Sequence, residues 1–419
     1  MSRIAVVGSG ISGMAAAYLL SLKHEVHLLE REERLGGHTH THAIPTSRGV
    51  LPIDTGFIVH NDRTYPNLVR LFRQLGVERQ KSDMSFGVSC QRTGFEYSSR
   101  GLDGLFAQKS NWLRLRHYRF LREILRFNRE APKVLEDPVG TTMTLGEWTK
   151  ANDFSEYFGR YYLYPMAAAV WSTSLEEIEE FPAVTLVRFF ANHGFLGIDT
   201  HPQWYVVKDG SSEYIAPLTA PYKERIRLGV EIAGVTRSHN AVQVRYENGS
   251  AELFDEIVFA CHGPQAMALL ADPTPLERSV LGGFSISRNV TVLHTDEKLL
   301  PARPNARASW NYHVGAGDHA ATLTYHMNRL QSLAAPEPYC VTLDATGRIM
   351  PERILREMNY FHPLMNLPAI RAQARWQEIS GQNRTHFCGA YWFYGFHEDG
   401  LNSAIRVAQS LGVDWRRAA

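Results

Sequence analysis

Short apolar runs alternate with amphipathic repeats at the start of the chain. Ile4-Ala5-Val6-Val7 is short, apolar and β-branched, which predicts a buried parallel strand. The run Met14 to Leu22 is rich in Ala and Leu and predicts a helix. Glu25 to Glu30 predicts a second strand that ends in an acid. Strand, helix and strand in this order predict a parallel α/β unit.

The first strand runs into Gly8-Ser9-Gly10-Ile11-Ser12-Gly13, a GxGxxG pattern. The first glycine permits a tight turn, the second lets a pyrophosphate approach the backbone, and the third lets helix and strand pack closely. The helix N-terminus favours the anion, and Glu30 is placed to accept hydrogen bonds from a ribose. The pattern predicts a dinucleotide site with these residues: Gly8, Ser9, Gly10, Ser12, Gly13 and Glu30.

Two later segments also carry strand and helix patterns. Alternation from Arg225 to Val244 predicts a pair of strands with a turn near Asn240, and Asp255 to Ala260 predicts a further strand. Phe387 to Ala390 predicts a strand ending in glycine. The spacing of Leu401, Ala404, Ile405 and Ala408 then predicts a helix, with Asp399 as its N-cap.

The residues after the second strand resemble a known flavoprotein motif. Arg34-Leu35-Gly36-Gly37-His38 resembles the "GG" extension of glutathione-reductase-like flavoproteins such as amine oxidases and phytoene desaturases. This resemblance implies FAD as the cofactor, with phosphate contacts from Gly37 and from His38, which stands where arginine is usual. Asp54-Thr55-Gly56-Phe57 resembles the segment that passes beside the flavin ring. The residues implied here are Arg31, Gly36, Gly37, His38, Thr55, Gly56 and Phe57.

The same resemblance extends to the middle and the end of the chain. It implies that the backbone at Ile232 contacts the adenine and that Ala260 ends a cofactor-binding strand. It also implies that the C-terminal helix points its N-terminus at the flavin, where negative charge develops on reduction. The C-terminal cofactor residues implied are Gly389, Asp399, Gly400, Leu401 and Ala404. Ala390 stands where the family usually has an acid.

The chain resembles a bacterial amine-oxidase-like "NAD/FAD-binding" family, whose members are often encoded beside or fused to cyclopropane-fatty-acid synthases. The similar stretches are residues 54–67, 84–89, 327–331 and 395–401. The implied fold is α/β, a glutathione-reductase-like Rossmann FAD domain with an interleaved α+β substrate domain of the amine-oxidase and phytoene-desaturase type. The expected FAD domain comprises residues 1–75, 205–275 and 376–419, and the substrate domain comprises 76–204 and 276–375.

The composition of the chain indicates which partners, metal sites and cellular location to expect. The chain has 419 residues and a formal net charge of +1, so its overall charge does not indicate a nucleic-acid partner. The four cysteines form no CxxC pair, which argues against structural zinc and a disulfide scaffold. His38, His40 and His42 alternate, but no carboxylate or cysteine completes a familiar metal set, so no metal is expected. No apolar run is long enough for a membrane span, and we expect a cytoplasmic protein.

Residues 109–130 form a basic amphipathic segment with a net charge of +5. Arg119, Arg122, Arg126 and Arg129 share one helical stripe, and the other side carries Phe120, Leu121, Ile124, Leu125 and Phe127. Such a helix suits an anionic membrane at the inner face of the cell. An ordinary surface helix that packs its apolar side on the core remains the alternative.

Several residues are candidates for the substrate site. An apolar channel is expected from Tyr391-Trp392-Phe393-Tyr394 with Tyr161, Tyr162, Tyr164 and Trp171. His60 and His397 are candidate catalytic bases because each follows a segment expected near the flavin.

We expect dehydrogenation of an unsaturated fatty acyl chain on a phospholipid. Three alternatives stay open: an amine or amino-acid oxidase, a flavin-dependent isomerase, and a non-catalytic flavin-binding partner of a lipid methyltransferase. The lysine that many amine oxidases keep near flavin N5 is not recognisable in the sequence.

Overall fold

The computed structural model describes residues 1–136, 143–171, 175–197, 202–315 and 321–415, apart from the side chains of residues 171–176. The strands of the described residues, in chain order, are β1 (Arg3–Val7), β2 (Glu25–Leu29), β3 (Thr41–Thr46), β4 (Gly49–Asp54), β5 (Val59–Asn61), β6 (Arg79–Ser82), β7 (Phe86–Cys90), β8 (Glu96–Ser98), β9 (Trp204–Val207), β10 (Ile226–Arg227), β11 (Ile232–Arg237), β12 (Val242–Tyr246), β13 (Ala251–Phe254), β14 (Glu256–Phe259), β15 (Ile286–His294), β16 (Trp310–Val314), β17 (Thr322–His326), β18 (Cys340–Leu343), β19 (Ile354–Pro363) and β20 (Thr385–Phe387).

The α-helices, again in chain order, are α1 (Ile11–Leu20), α2 (Pro66–Gln74), α3 (Gly101–Leu105), α4 (Leu115–Glu130), α5 (Leu145–Ala151), α6 (Glu156–Phe158), α7 (Tyr164–Trp171), α8 (Leu175–Glu179), α9 (Ala183–His193), α10 (Ile215–Thr219), α11 (Gly263–Leu269), α12 (Pro275–Leu281), α13 (Met327–Leu330), α14 (Leu367–Gln373), α15 (Trp376–Ile379) and α16 (His397–Ser410).

A five-stranded sheet unites the start, the middle and the end of the chain. Its order is β10-β2-β1-β14-β20, and every pairing in it is parallel. Val6 of β1 pairs with Leu28 on one side and Val258 on the other, and all three side chains are fully buried. Apolar runs of this kind belong in a parallel sheet that is covered on both faces. The predicted α/β class is therefore confirmed.

Several predicted boundaries differ from the structure, and the strand predicted from Phe387 to Ala390 instead spans Thr385–Phe387. Helix α1 begins at Ile11, three residues before the predicted start, because Gly10 already serves as its N-cap. Strand β2 ends at Leu29, so that Glu30 is the first residue beyond it. The alternating segment 225–244 divides between two sheets: β10 joins the parallel sheet, while β11 and β12 form the predicted hairpin around Asn240.

A second, seven-stranded sheet has the order β19-β15-β18-β17-β16-β7-β8. One face of this region meets a helical layer, whose buried aromatic residues include Phe120, Phe127, Trp148 and Phe190. A three-stranded sheet, β5-β9-β6, pairs β5 and β6 with β9. These elements supply the second half of the molecule, and the exact domain boundaries stay a prediction.

Helix α4 carries the predicted basic stripe, but its apolar side is not uniform. Phe120 and Phe127 are buried against the helical layer, whereas Leu125 is 51% exposed. The alternative in which the apolar side of α4 packs on the core therefore holds for Phe120 and Phe127 but not for Leu125. No helix among the described residues is long and apolar enough to cross a membrane.

Candidate functional site

The turn after β1 has the backbone that the glycine pattern predicts. Gly8 has a φ of +101°, and its N–H donates to Leu29 O over 2.9 Å. A Cβ on Gly13 would lie 1.8 Å from Gly8 O, so any side chain there would separate helix α1 from the strand turn. Gly13 therefore acts through packing and does not line the cavity described below.

The N-terminus of α1 is open to a ligand. Within the described residues no side chain caps it, and its first turn contains no acid. A Cβ on Gly10 would meet nothing within 4 Å, and the buried Ser9 Oγ has no hydrogen-bond partner among the described residues. Free N–H groups, a favourable dipole and an unpartnered hydroxyl together form an anion cradle.

The second glycine pair closes over this cradle. Gly37 has a φ of +57°, and a Cβ there would lie 3.1 Å from Gly10 Cα, so the two loops touch backbone to backbone. Gly36 has a φ of +110°, and its Cβ would lie 2.4 Å from Thr39 O. Gly36 thus shapes the turn, while Gly37 faces the ligand path.

Glu30, the first residue after β2, connects the glycine-rich loop to the chain that follows β2. One carboxylate oxygen accepts the Ser9 N–H over 2.7 Å, and the other accepts the Glu32 N–H over 2.9 Å. The carboxylate also lines the cavity, where a ribose hydroxyl can donate to it.

A cavity of about 850 Å³ begins at this cradle and extends between the two large sheets. It brings together most of the predicted cofactor residues and one candidate base: Gly8, Ser9, Gly10, Ser12, Glu30, Arg31, Gly37, His38, Gly56, Phe57, Ile232, Ala260, Gly389 and His397. They come from segments up to 389 positions apart, so that only the fold assembles them.

The prediction for the C-terminal helix is partly wrong. Helix α16 begins at His397 with Phe396 as N-cap, and Asp399 is its third residue, where the carboxylate accepts the Phe396 N–H over 2.9 Å. Gly400 packs on α1, because a Cβ there would lie 2.7 Å from the Ile11 side chain. Leu401 and Ala404 lie in the apolar core. Asp399, Gly400, Leu401 and Ala404 therefore position the helix and do not line the cavity.

Thr55 is also held away from the cavity. Its hydroxyl lies 2.7 Å from the Tyr360 hydroxyl oxygen, and its N–H donates to His40 O over 3.1 Å. The adjacent Gly56 does line the cavity, and its Cβ would lie 2.1 Å from His38 O. Only glycine fits there, because the two segments approach each other closely.

His60 is badly placed for catalysis. Its ring is fully buried among Phe57, Phe72 and Tyr205, and neither nitrogen has a partner within the described part of the chain. Burial lowers its pKa to about 3, so it is neutral at physiological pH. It does not line the cavity, whereas the other candidate base, His397, does.

His397 does reach the cavity. Its ring stacks on Phe57, and its Nε2 lies 3.0 Å from Thr39 Oγ1 and 3.3 Å from the Tyr214 hydroxyl oxygen. Burial lowers its pKa to about 3. A neutral imidazole fixed by two hydroxyls is suited to orienting a bound group.

His38 brings no positive charge to the phosphate region. Burial, with His362 and His262 nearby, lowers its pKa well below the ordinary value. The ring packs on Tyr360 with a centroid distance of 5.1 Å, and Nε2 has no partner among the described residues. The departure from arginine leaves a neutral group with one open hydrogen-bonding nitrogen.

Sequence patterns missed several lining residues. Glu231 and Glu247 flank Ile232 at the cofactor end; the Glu247 N–H donates to Glu231 O over 3.0 Å. His193 and His362 also line the cavity, and burial lowers the pKa of each to about 4. No sequence motif marked His193 at the end of α9 or His362 in β19.

Ten of the lining residues form an uncharged set, which we call the substrate-side wall. It consists of Met84, Val170, Phe189, His193, Phe195, Trp204, Trp310, Tyr325, His362 and Pro363. None of these described residues is Asp, Glu, Lys or Arg. The charged lining residues are Glu30, Arg31, Glu231 and Glu247.

The expected aromatic channel is confirmed only in part. Tyr391 and Tyr394 line the cavity, whereas Trp392 is buried in the core. The rings of Tyr161 and Tyr162 are buried in the core of the helical layer, and Tyr164 packs beside it. The side chain of Trp171 lies outside the described residues.

Comparison with known proteins identifies the family. Residues 11–300 match the family model described as flavin containing amine oxidoreductase, which is more than half of the chain. A 103-residue segment is 36% identical to flavin-containing amine oxidase A of Bos taurus; it covers 24% of this chain and only 19% of the bovine enzyme.

Solved structures share the fold of this chain over 97–98% of its length. A putrescine oxidase bound to putrescine aligns with a TM-score of 0.69 at 14% identity, covering 98% of both chains. Cyclohexylamine oxidase from Brevibacterium oxydans aligns with a TM-score of 0.68 at 14% identity, covering 98% of this chain and 99% of the other. A fatty acid isomerase from P. acnes, described as producing CLA, aligns with a TM-score of 0.66 at 14% identity, covering 97% and 98%.

The chain belongs to the flavin containing amine oxidoreductase family, and its cofactor is FAD. The residues present fit that cofactor. The open N-terminus of α1, the unpartnered Ser9 hydroxyl and the space beside Gly10 suit the pyrophosphate, and Glu30 suits a ribose.

Proposed function

We propose that this member of the flavin containing amine oxidoreductase family dehydrogenates an unsaturated fatty acyl chain of a membrane phospholipid. The reaction removes a hydride from an allylic carbon and a proton from the adjacent carbon, and leaves one additional carbon–carbon double bond. FAD, when bound, supplies the two-electron acceptor by taking the hydride at N5. The protein must supply the surface that binds the acyl chain and the group that accepts the proton.

The substrate-side wall is the observation that carries the proposal. Its ten side chains are apolar, aromatic or neutral imidazole, and the described wall contains no formal charge. An acyl chain has no polar group to satisfy, so this wall suits it, whereas burying an unpaired charge is costly. Phe189, Phe195 and Trp204 supply large flat surfaces for contact with an extended chain.

Neutral imidazoles supply the polar chemistry of this wall. His193 stacks on Phe189 with ring centroids 3.8 Å apart, and its Nδ1 lies 2.9 Å from Phe189 O. His362 Nδ1 lies 2.7 Å from Asn289 Oδ1. Each ring is thus oriented through one nitrogen, which leaves Nε2 as the atom that can accept the substrate proton.

Similarity to other members supports the proposal without deciding it. Amine oxidases and a fatty acid isomerase share the fold at 14% identity, so the fold accommodates both substrate classes. Within the described lining of the cavity there is no lysine. This observation agrees with the sequence in setting the chain apart from amine oxidases that keep a lysine near N5.

The direct test is anaerobic mixing of the holoenzyme with phospholipid. We expect the flavin absorbance to bleach with a phospholipid that carries monounsaturated chains. The matched control is the same headgroup with saturated chains, which lacks an allylic C–H bond and leaves the flavin oxidised. Mass spectrometry of the product should then show the loss of two hydrogens from the acyl chain.

Other outcomes identify the alternatives. Bleaching by an amine or amino acid but not by lipid would overturn the acyl proposal in favour of an oxidase. A shifted double bond with no loss of hydrogen would show an isomerase. A flavin that stays oxidised with every lipid, together with tight binding to a lipid methyltransferase, would show a non-catalytic partner.

A further inference from the structure

We propose that the outer face of the segment 109–130 is a docking surface for an anionic phospholipid bilayer. This face, called the docking face below, consists of a short 3₁₀ turn, Lys109–Leu113, followed by the exposed side of α4. The surface itself stands independently of the proposed acyl chemistry, and it rests on that proposal only in naming the substrate that the bilayer delivers.

Exposed apolar side chains concentrate on the docking face. Five of the thirteen large hydrophobic residues found exposed in the described structure fall within fourteen positions: Trp112 (50%), Leu113 (91%), Leu115 (86%), Tyr118 (43%) and Leu125 (51%). Scattered exposed leucines need no explanation, but a cluster beside aromatic residues marks an interaction surface.

The apolar and basic residues lie side by side on the helix. At 100° per residue, Tyr118 and Leu125 fall on one edge of the exposed side of α4, and Arg119 and Arg122 fall on the adjoining edge. The inner side is closed by Phe120 and Phe127, which are buried. This division is the pattern of a helix lying in the plane of a membrane interface.

The arginines are available to a ligand outside the protein. The side chains of Arg114, Arg119 and Arg122 make no hydrogen bond or ion pair with the residues that the structure describes. The nearest acid in the sequence, Glu123, is turned inward and accepts hydrogen bonds from Ser155 N and Ser155 Oγ over 3.0 and 2.6 Å.

Charge complementarity identifies the occupant. Residues 109–130 carry a net charge of +5, while the whole chain carries only +1, so the positive charge is local. A basic surface with interleaved Leu and Trp matches anionic headgroups above an acyl layer. An acidic protein surface would match the charges, but it would leave Leu113 and Leu115, which are nearly fully exposed, without an apolar counterpart.

Helix α4, which carries the docking face, packs in the same helical layer as α9, which lines part of the cavity. Phe127 of α4 contacts Phe190 of α9, with ring centroids 6.4 Å apart. The neighbouring Phe189 and His193 of α9 line the cavity. A bilayer on the outer side of this layer would therefore contact the helices that contribute Val170, Phe189 and His193 to the substrate-side wall.

The test is sedimentation of the full-length holoenzyme with vesicles. We expect binding to vesicles containing phosphatidylglycerol at low salt, weaker binding at high salt, and little binding to phosphatidylcholine alone. The double substitution Arg119→Glu and Arg122→Glu should weaken binding about tenfold or more. The matched control, Arg73→Glu with Arg278→Glu, makes the same charge change on other exposed helix surfaces and should bind like the wild type.

A second pair of variants tests the apolar contribution. Leu113→Ser with Leu125→Ser should weaken vesicle binding and leave FAD content unchanged, and Leu276→Ser with Leu367→Ser is the exposed control. Failure of the wild type to bind anionic vesicles, or equal loss in test and control pairs, would overturn the proposal and point to an acidic protein as the occupant. Vesicle binding without any turnover of lipid would retain the docking face while rejecting the proposed function.

Discussion

The imidazole of His397 stacks on the ring of Phe57, with centroids 3.7 Å apart and planes inclined by 14°. The contact joins the segment after β4 to the first residue of α16, and both residues line the cavity. Two segments that are 340 positions apart are thereby fixed at the point where the C-terminal helix begins.

His397 should contribute to stability through both stacking and hydrogen bonding. We expect His397→Ala to lower the free energy of unfolding by about 2 kcal/mol, because it removes the ring contact and the Thr39 partner. His397→Phe keeps the stack and should lose only about half as much. Urea denaturation of the holoproteins measures both values, and equal losses would show that the stack contributes nothing.

Gly10 and Gly13 should fail in different ways when a methyl group is added. Gly13→Ala places Cβ 1.8 Å from Gly8 O, so we expect poor folding or a loss of several kcal/mol. Gly10→Ala meets open space and should fold, but it intrudes on the anion cradle and should weaken FAD binding about tenfold or more.

Thermal unfolding and FAD titration of the apoproteins separate these two effects. A folded Gly10→Ala protein with wild-type FAD affinity would contradict the placement of the pyrophosphate at α1. A Gly13→Ala protein as stable as the wild type would contradict the close packing of helix and turn.

Replacing His60 should leave catalysis intact and improve stability in acid. Its folded pKa of about 3 lies below the unfolded value near 6.5, so the stability linked to it is present above about pH 6.5 and is lost as pH falls. His60→Phe removes that titration and should be more stable than wild type in acid, relative to neutral pH, by about 1 kcal/mol. The free energy of unfolding is measured in acid and at neutral pH, and activity is measured at neutral pH. A large fall in activity would show that His60 is a catalytic residue.

The whole protein should be labile in acid. Among the described residues, burial lowers the pKa of twelve histidines: His38, His40, His42, His60, His117, His193, His262, His294, His313, His326, His362 and His397. The unfolded chain therefore binds more protons below about pH 6.5, and the free energy of unfolding falls with pH down to about 4.

Buried Asp54 and Asp399 change the free energy of unfolding with pH in the opposite direction. Burial raises their pKa values to about 6 and about 7, which favours the folded state as pH falls. Burial also raises the pKa of Glu398, but three such carboxyl groups cannot offset twelve imidazoles. We expect the denaturation midpoint to drop steeply between about pH 7 and about pH 5; a flat profile, measured by urea titration at fixed temperature, would refute the buried neutral state of these rings.

Glu398 should matter for folding rather than for FAD. Its carboxylate accepts the N–H groups of Asn67 and Leu68 over 3.0 and 2.8 Å, and so caps α2 from a distant helix. Glu398→Ala should cost about 1–3 kcal/mol, and Glu398→Gln, which keeps one acceptor, should cost less. The expected pattern is a lower unfolding midpoint with unchanged FAD affinity, and a selective loss of FAD affinity would refute it.

The sequence by itself determined the dinucleotide unit. Gly8 to Gly13 and Glu30 are close along the chain, and local backbone requirements fix which residues are allowed there. The same holds for the β11–β12 hairpin, whose alternation and turn are short-range signals. These elements could be predicted because their chemistry depends on neighbours within about thirty residues.

Only the tertiary structure decided which side chains reach the cavity. His60 and His397 looked equivalent along the chain, yet packing encloses one behind Phe57 and places the other at the lining. Helical spacing correctly predicted α16. Gly400 packs against Ile11, however, and therefore does not line the cavity. His193 and His362 reach one wall from α9 and β19, 169 positions apart, because side-chain direction in a long-range contact depends on the packing of whole layers.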